Sequence, residues 1–189
     1  MTGYFLTEQD ILLQKTVREF ANNQLTPNAG HYDQNAEFPW ENFQSLAELG
    51  LFGLTIDEDF DGTGGTALQS AIVVEELSRG CAATAVIYIA HLSLCTRLIN
   101  LFGSIDLKKK ILPSMVAGEK IGAFALTEPN SGSDSAALST TATKDGADYI
   151  LSGTKHFITN AGEADIFVIM ATLDRNMRSR GINAFVVEK

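Results

Sequence analysis

The stretch Ile121–Asp134, "IGAFALTEPNSGSD", divides the chain. Up to Leu126 it is an apolar run of strand length, and from Thr127 onward it is hydroxyls, carboxyls and turn formers. Pro129 fixes its own φ and biases Glu128 toward extended backbone, while Gly132 can take a positive φ or let another group approach closely. A loop of that shape can turn the hydroxyls of Thr127, Ser131 and Ser133, with nearby amides, toward one object such as a pyrophosphate or the polar edge of a ring system. The same composition also makes an ordinary turn at the end of a strand.

Before this point the pattern is helical. Thr7 is placed to cap a helix carrying Leu13, Val17, Phe20, Ala21 and Leu25 on one stripe and ending before Pro27. A short helix follows Pro39, turns Phe43, Leu46 and Ala47 inward and stops at Gly50. "DEDFDGTGGT", Asp57–Thr66, lacks the alternating oxygen spacing and late glutamate of a calcium loop and reads as a connection. Ala67–Arg79 is helical with a Glu75/Arg79 pair at i, i+4. Cys81–Phe102 is apolar nearly all round, but His91, Arg97 and Asn100 make a membrane span expensive, so it reads as a central buried helix. Ser104 caps a last helix whose Lys108, Lys109 and Lys110 form a solvated face.

After Ile121 the runs are short and β-like: Ile121–Leu126, a hairpin within "STTATKDGADYILSG" turning at Asp145-Gly146, then Ile166–Thr172 and Ile182–Val187. The expected fold is α+β, with an all-α helical domain over residues 1–120 and an antiparallel β domain over 121–189. The last strand, "INAFVVEK", is expected to leave an exposed sheet edge.

Composition narrows the function. With 45% hydrophobic and 20% charged residues the chain is globular, and a net charge of −9 offers no basic stripe to a nucleic acid. Cys81 and Cys95, 14 residues apart in sequence, would sit about 21 Å apart on one helix, beyond disulfide reach. They read as buried hydrophobes of a reducing compartment, and the N-terminus has no targeting pattern, so a cytoplasmic protein is expected. His31, His91 and His156 are scattered, with no metal-binding grouping, and His91 reads as a hydrogen-bonded core residue. GxSxG, Walker A and GxGxxG motifs are absent.

A second stretch, "GTKHFITNAGEAD" (Gly153–Asp165), carries Phe157 two residues before Thr159. On an extended strand the two would share a face, the ring packing on a flat ligand while the hydroxyl bonds its edge.

Together "FALTEPNSGSD" and "GTKHFITN" resemble the two signatures of the acyl-CoA dehydrogenase family. "LGLFGLTIDEDFDGTGG", "VVEELSRGCAATA", "LKKKILPSMVAGEKIGAFALTEP" and "LDRNMRSRGINAFVV" follow the family's order, so the resemblance covers essentially all 189 residues. It is greatest to the short-chain, butyryl-CoA branch. The resemblance implies FAD-dependent conversion of an acyl-CoA to a trans-2-enoyl-CoA, with an electron-transfer flavoprotein as oxidant and a homo-oligomeric assembly. It implies that Phe124, Leu126 and Thr127 line the flavin ring, that Gly132 and Ser133 approach the pyrophosphate, and that Phe157 and Thr159 lie against the ring. Ser133 would also reach the CoA substrate. Phe157 stands where the family usually has tryptophan, so stacking is kept while the indole N–H is lost.

Family chains are about twice as long. The resemblance therefore places the catalytic base in a C-terminal helical bundle without counterpart here, and Glu75, Glu76 and Glu128 are not substitutes. The 189-residue chain alone is expected to be inactive. The alternative expectation is a non-catalytic protein of the same fold that binds CoA esters or partner subunits.

Overall fold

In the computed structural model, which describes residues 6–189, helix α1 (Glu8–Phe20) begins at a capping box in which Thr7 and Asp10 bond each other's backbone amides. The expectation of no targeting pattern falls partly on residues 1–5, outside the described residues. Pro27 does not end the helical path. A π-helical turn, Ala21–Leu25, leads into α2 (Thr26–Asn35), and Pro27 sits in the first turn of α2, where a missing N–H costs little. Helix α3 (Trp40–Glu48) follows Pro39 and ends at Gly50, whose φ of 71° is left-handed. The Asp57–Thr66 segment is a loop with a short 3-10 turn, and no metal-binding cluster exists among the described residues.

Helix α4 (Ala67–Gly80) starts at a second capping box, Thr66 with Gln69. Its ion pair differs from the expected one. Arg79 reaches Glu76 at 2.7 Å, not exposed Glu75, because Glu76 is on the inward face, fully buried and also held by Arg18 of α1. Ala82–Phe102 forms one helical path: α5 (Ala82–Tyr88), a π-helical segment (Ile89–Thr96) and α6 (Arg97–Phe102). It is long and apolar enough to cross a membrane, yet buried His91, Thr96 and Asn100 lie along it. His91 bonds the Met115 carbonyl at 3.0 Å and packs against Phe43 and Phe52, and burial pushes its pKa down to about 4. Both cysteines are buried and neither forms a disulfide. In α7 (Ile105–Val116) Lys108 is half-buried over the Phe60 ring, so the lysine run is not uniformly solvated.

The chain divides into two compact units, one ending at Glu119 and the other spanning Lys120–Lys189. The second is built on β1 (Gly122–Ala125), β2 (Thr141–Asp145), β3 (Asp148–Ser152), β4 (Ile166–Thr172) and β5 (Ile182–Glu188). Its sheet is mixed, which corrects the antiparallel expectation. β2–β3 and β4–β5 are antiparallel hairpins, whereas β1 and β2 both run parallel to β4. The cause is connectivity: the long segment between β1 and β4 brings the chain back in its original direction. Among the described residues no strand pairs the outer edge of β5.

Candidate cofactor site

Strand β1 sets up the site by alternation. Ala123 and Ala125 are buried, so Phe124 and Leu126, half-buried, take the opposite face. Beyond the strand, reciprocal backbone bonds between Glu128 and Ser131, 2.9 and 3.1 Å, close a tight turn. Ser131 is buried and its hydroxyl donates to the Asp134 carbonyl at 2.9 Å. That hydroxyl serves the loop, contrary to the expectation that it faces a ligand alongside Thr127 and Ser133.

Glu128 is the anchor. Its carboxylate is 2% exposed and accepts four hydrogen bonds, from the Ser139 amide and hydroxyl, the Thr140 amide and the Lys155 ammonium, at 2.6–2.9 Å. Burial alone would raise its pKa, but Lys155 and the bonds from Thr140 and Ser139 outweigh that and hold it well below the usual carboxylate range. Glu128 is thus an ionised structural acceptor.

The second loop leaves β3 at Gly153, where a Cβ would collide with Thr140. Lys155 Nζ donates to the Leu126 carbonyl and the Glu128 carboxylate, both at 2.8 Å, and the His156 amide donates to the Thr127 carbonyl at 2.9 Å. Asn160, left-handed at φ 69°, donates from its side chain to the Gly122 carbonyl. The two motif stretches, far apart in sequence, are therefore one bonded assembly.

Phe157 and Thr159 are not on a strand. Phe157 is left-handed, φ 55°, and its side chain is 92% exposed, while Thr159 lies in a turn. The shared-face geometry expected for them fails because bonds to the first loop and to β1 bend this segment out of the sheet. Of the proposed site residues, the structure joins Leu126 and Thr127 to the Phe157 and Thr159 loop, with Phe124 behind them on β1. Gly132 and Ser133 are exposed one turn further on.

This arrangement fits a flat, polar-edged cofactor with a phosphate tail. The hydroxyls of Thr127, Ser133 and Thr159 have no hydrogen-bond partner among the described residues. Gly132 has no positive φ, and a methyl group in place of its hydrogen would meet no atom within 4 Å, so packing and backbone conformation do not require glycine there. Open space at a glycine suits close approach of another molecule. Phe157 offers an uncovered ring face.

Sequence reasoning missed the Glu128–Lys155 bond and the roles of Ser139, Thr140 and Asn160. The charged partners lie 27 residues apart, and no local spacing connects them.

The acyl-CoA dehydrogenase N-terminal domain family matches residues 7–119, and the middle domain family matches residues 123–189. The short-chain specific acyl-CoA dehydrogenase of Clostridium acetobutylicum is 46% identical over 184 residues, which are 97% of this chain and 48% of that protein. The butyryl-CoA dehydrogenase structure from Megasphaera elsdenii superposes with a TM-score of 0.92 at 36% identity, covering 100% of this chain and 50% of that one. A structure described as the electron transferring flavoprotein of Acidaminococcus fermentans gives a TM-score of 0.93 at 36% identity, with coverage of 100% and 50%. The chain spans about half the length of the curated relatives it matches.

Proposed function

Because the chain belongs to the acyl-CoA dehydrogenase family, we propose that it carries the flavin-binding face of an FAD-dependent dehydrogenase acting on short acyl-CoA thioesters. One observation carries this reading: two motif loops bonded to each other present unpartnered hydroxyls, an open glycine and an uncovered aromatic ring together. FAD, when bound, supplies the acceptor for the substrate's β-hydrogen. The chain's own residues bind and orient. Thr127 and Thr159 offer hydroxyls to the polar edge of the ring, Phe124, Leu126 and Phe157 offer apolar surface, and Gly132 and Ser133 receive the pyrophosphate. Ser133 also reaches the CoA part of the substrate.

Removal of the α-proton needs a base with a free lone pair. Glu76 and Glu128 are both buried in ion pairs and are not suited to that role; the family resemblance places the base in a C-terminal helical bundle without counterpart in this chain. The short-chain relatives support a short acyl group, and the Acidaminococcus fermentans structure supports an electron-transfer flavoprotein as redox partner.

The test is flavin retention. Thr127→Val and Ser133→Ala each remove one hydrogen bond to a desolvated ligand, worth about 0.5 to 3 kcal/mol depending on charge. Both variants should bind FAD more weakly than the parent by equilibrium titration. Equal affinities in all three would overturn the assignment.

A further inference from the structure

The Glu128–Lys155 pair is buried: the two side chains are 2% and 11% exposed. Buried ion pairs are poor sources of net stability, since desolvating both charges offsets their attraction, and some instead fix one arrangement among several. Here both bonds of Lys155 end beside a proposed flavin contact. Lys155 grips the carbonyl of Leu126 and the side chain of Glu128, the residues on either side of Thr127. It stands two residues before Phe157, and its neighbour His156 bonds the Thr127 carbonyl. On the far side, Glu128 ties in Ser139 and Thr140, the residues leading into β2.

We propose that Lys155 and Glu128 are positioning residues of the cofactor site, an ion pair that sets the Leu126–Asp134 loop against the Gly153–Asn160 loop so that Thr127 and Phe157 face one ligand. The assignment rests on the flavin reading above, but the contact between the loops is testable without flavin. Lys155→Met leaves a buried, uncompensated carboxylate and should lower both stability and FAD affinity. Adding Glu128→Gln removes that stranded charge, so the double variant should regain thermal stability relative to Lys155→Met while its FAD affinity stays at least tenfold below the parent.

A purely structural salt bridge predicts otherwise, with affinity recovering alongside stability. Ile166→Val, a destabilising change at a buried β4 position, serves as control and should lower the melting temperature without a tenfold affinity loss. In the same proteins without flavin, amide hydrogen exchange at His156 should speed up at least tenfold in the double variant, while Ala164, bonded to the Asn160 carbonyl, keeps its protection. Lys155→Gln, which removes the charge but keeps an N–H donor group beside Glu128, serves for the affinity and exchange measurements if the double variant does not fold. Parent protein that binds no FAD would refute the flavin reading, and exchange at His156 would then decide the clamp by itself. Unchanged His156 exchange, or FAD affinity restored in the double variant, would overturn the proposal.

Discussion

At Phe157 the backbone and the side chain are both unfavourable in the chain by itself. A left-handed φ of 55° costs a non-glycine residue about 1–2 kcal/mol, and a ring 92% exposed recovers none of it by burial. Strain of this kind persists where surrounding bonds over-determine the backbone, and it concentrates at ligand sites. Phe157→Gly should therefore raise the flavin-free melting temperature, by an equivalent of up to about 1 kcal/mol, while weakening FAD binding. Phe157→Trp should retain FAD, since a larger ring occupies the same exposed position; calorimetry and flavin titration check the pair. Gly132→Ala separates the same two properties. With ordinary φ and open space around it, the added methyl should leave stability within about 0.5 kcal/mol of the parent, yet lower FAD affinity by blocking close approach.

Between elements, the loop after β1 depends on one ionised carboxylate. The folded pKa of Glu128 is depressed, so its contribution to stability is complete above the unfolded value of about 4.3 and is lost as pH falls from there toward the folded pKa. Urea midpoints measured from about pH 6 down to pH 2 should fall more steeply for the parent than for Glu128→Gln. Parallel slopes would show that Glu128 titrates normally and that the clamp is not formed in solution. In the helical unit, the buried Glu76 between Arg18 and Arg79 plays the corresponding part, joining α1 to α4 through opposite charges on inward and flanking positions.

For the molecule as a whole, the two motif loops are bonded into one assembly, while Glu76 and Glu128 are each held in ion pairs. General-base assistance is worth about 10² to 10⁴ in rate, so the 189-residue chain with FAD, butyryl-CoA and an artificial acceptor should show no measurable turnover. Mixing it with a separately expressed C-terminal half of a close relative should restore acceptor bleaching. Robust turnover by the chain alone would mean that one of its own residues acts as base, and the placement of the base outside this chain would be abandoned.

The elements and their punctuation were legible in the order of residues. Thr7 and Ser104 mark helix starts, Gly50 marks a stop, and Asp145-Gly146 marks the hairpin, because caps and turns are settled by residues within a few positions of one another. The two motif stretches were also legible, being contiguous. What lies between distant positions was settled only by folding. Folding set β1 parallel to β4, continued the helical path through Pro27, chose Glu76 over Glu75 as the partner of Arg79, and bent Phe157 out of a strand. It also joined Lys155 to Glu128, a contact that no local pattern encodes, since the two charges attract each other at close range only when the sheet and both loops have brought them together.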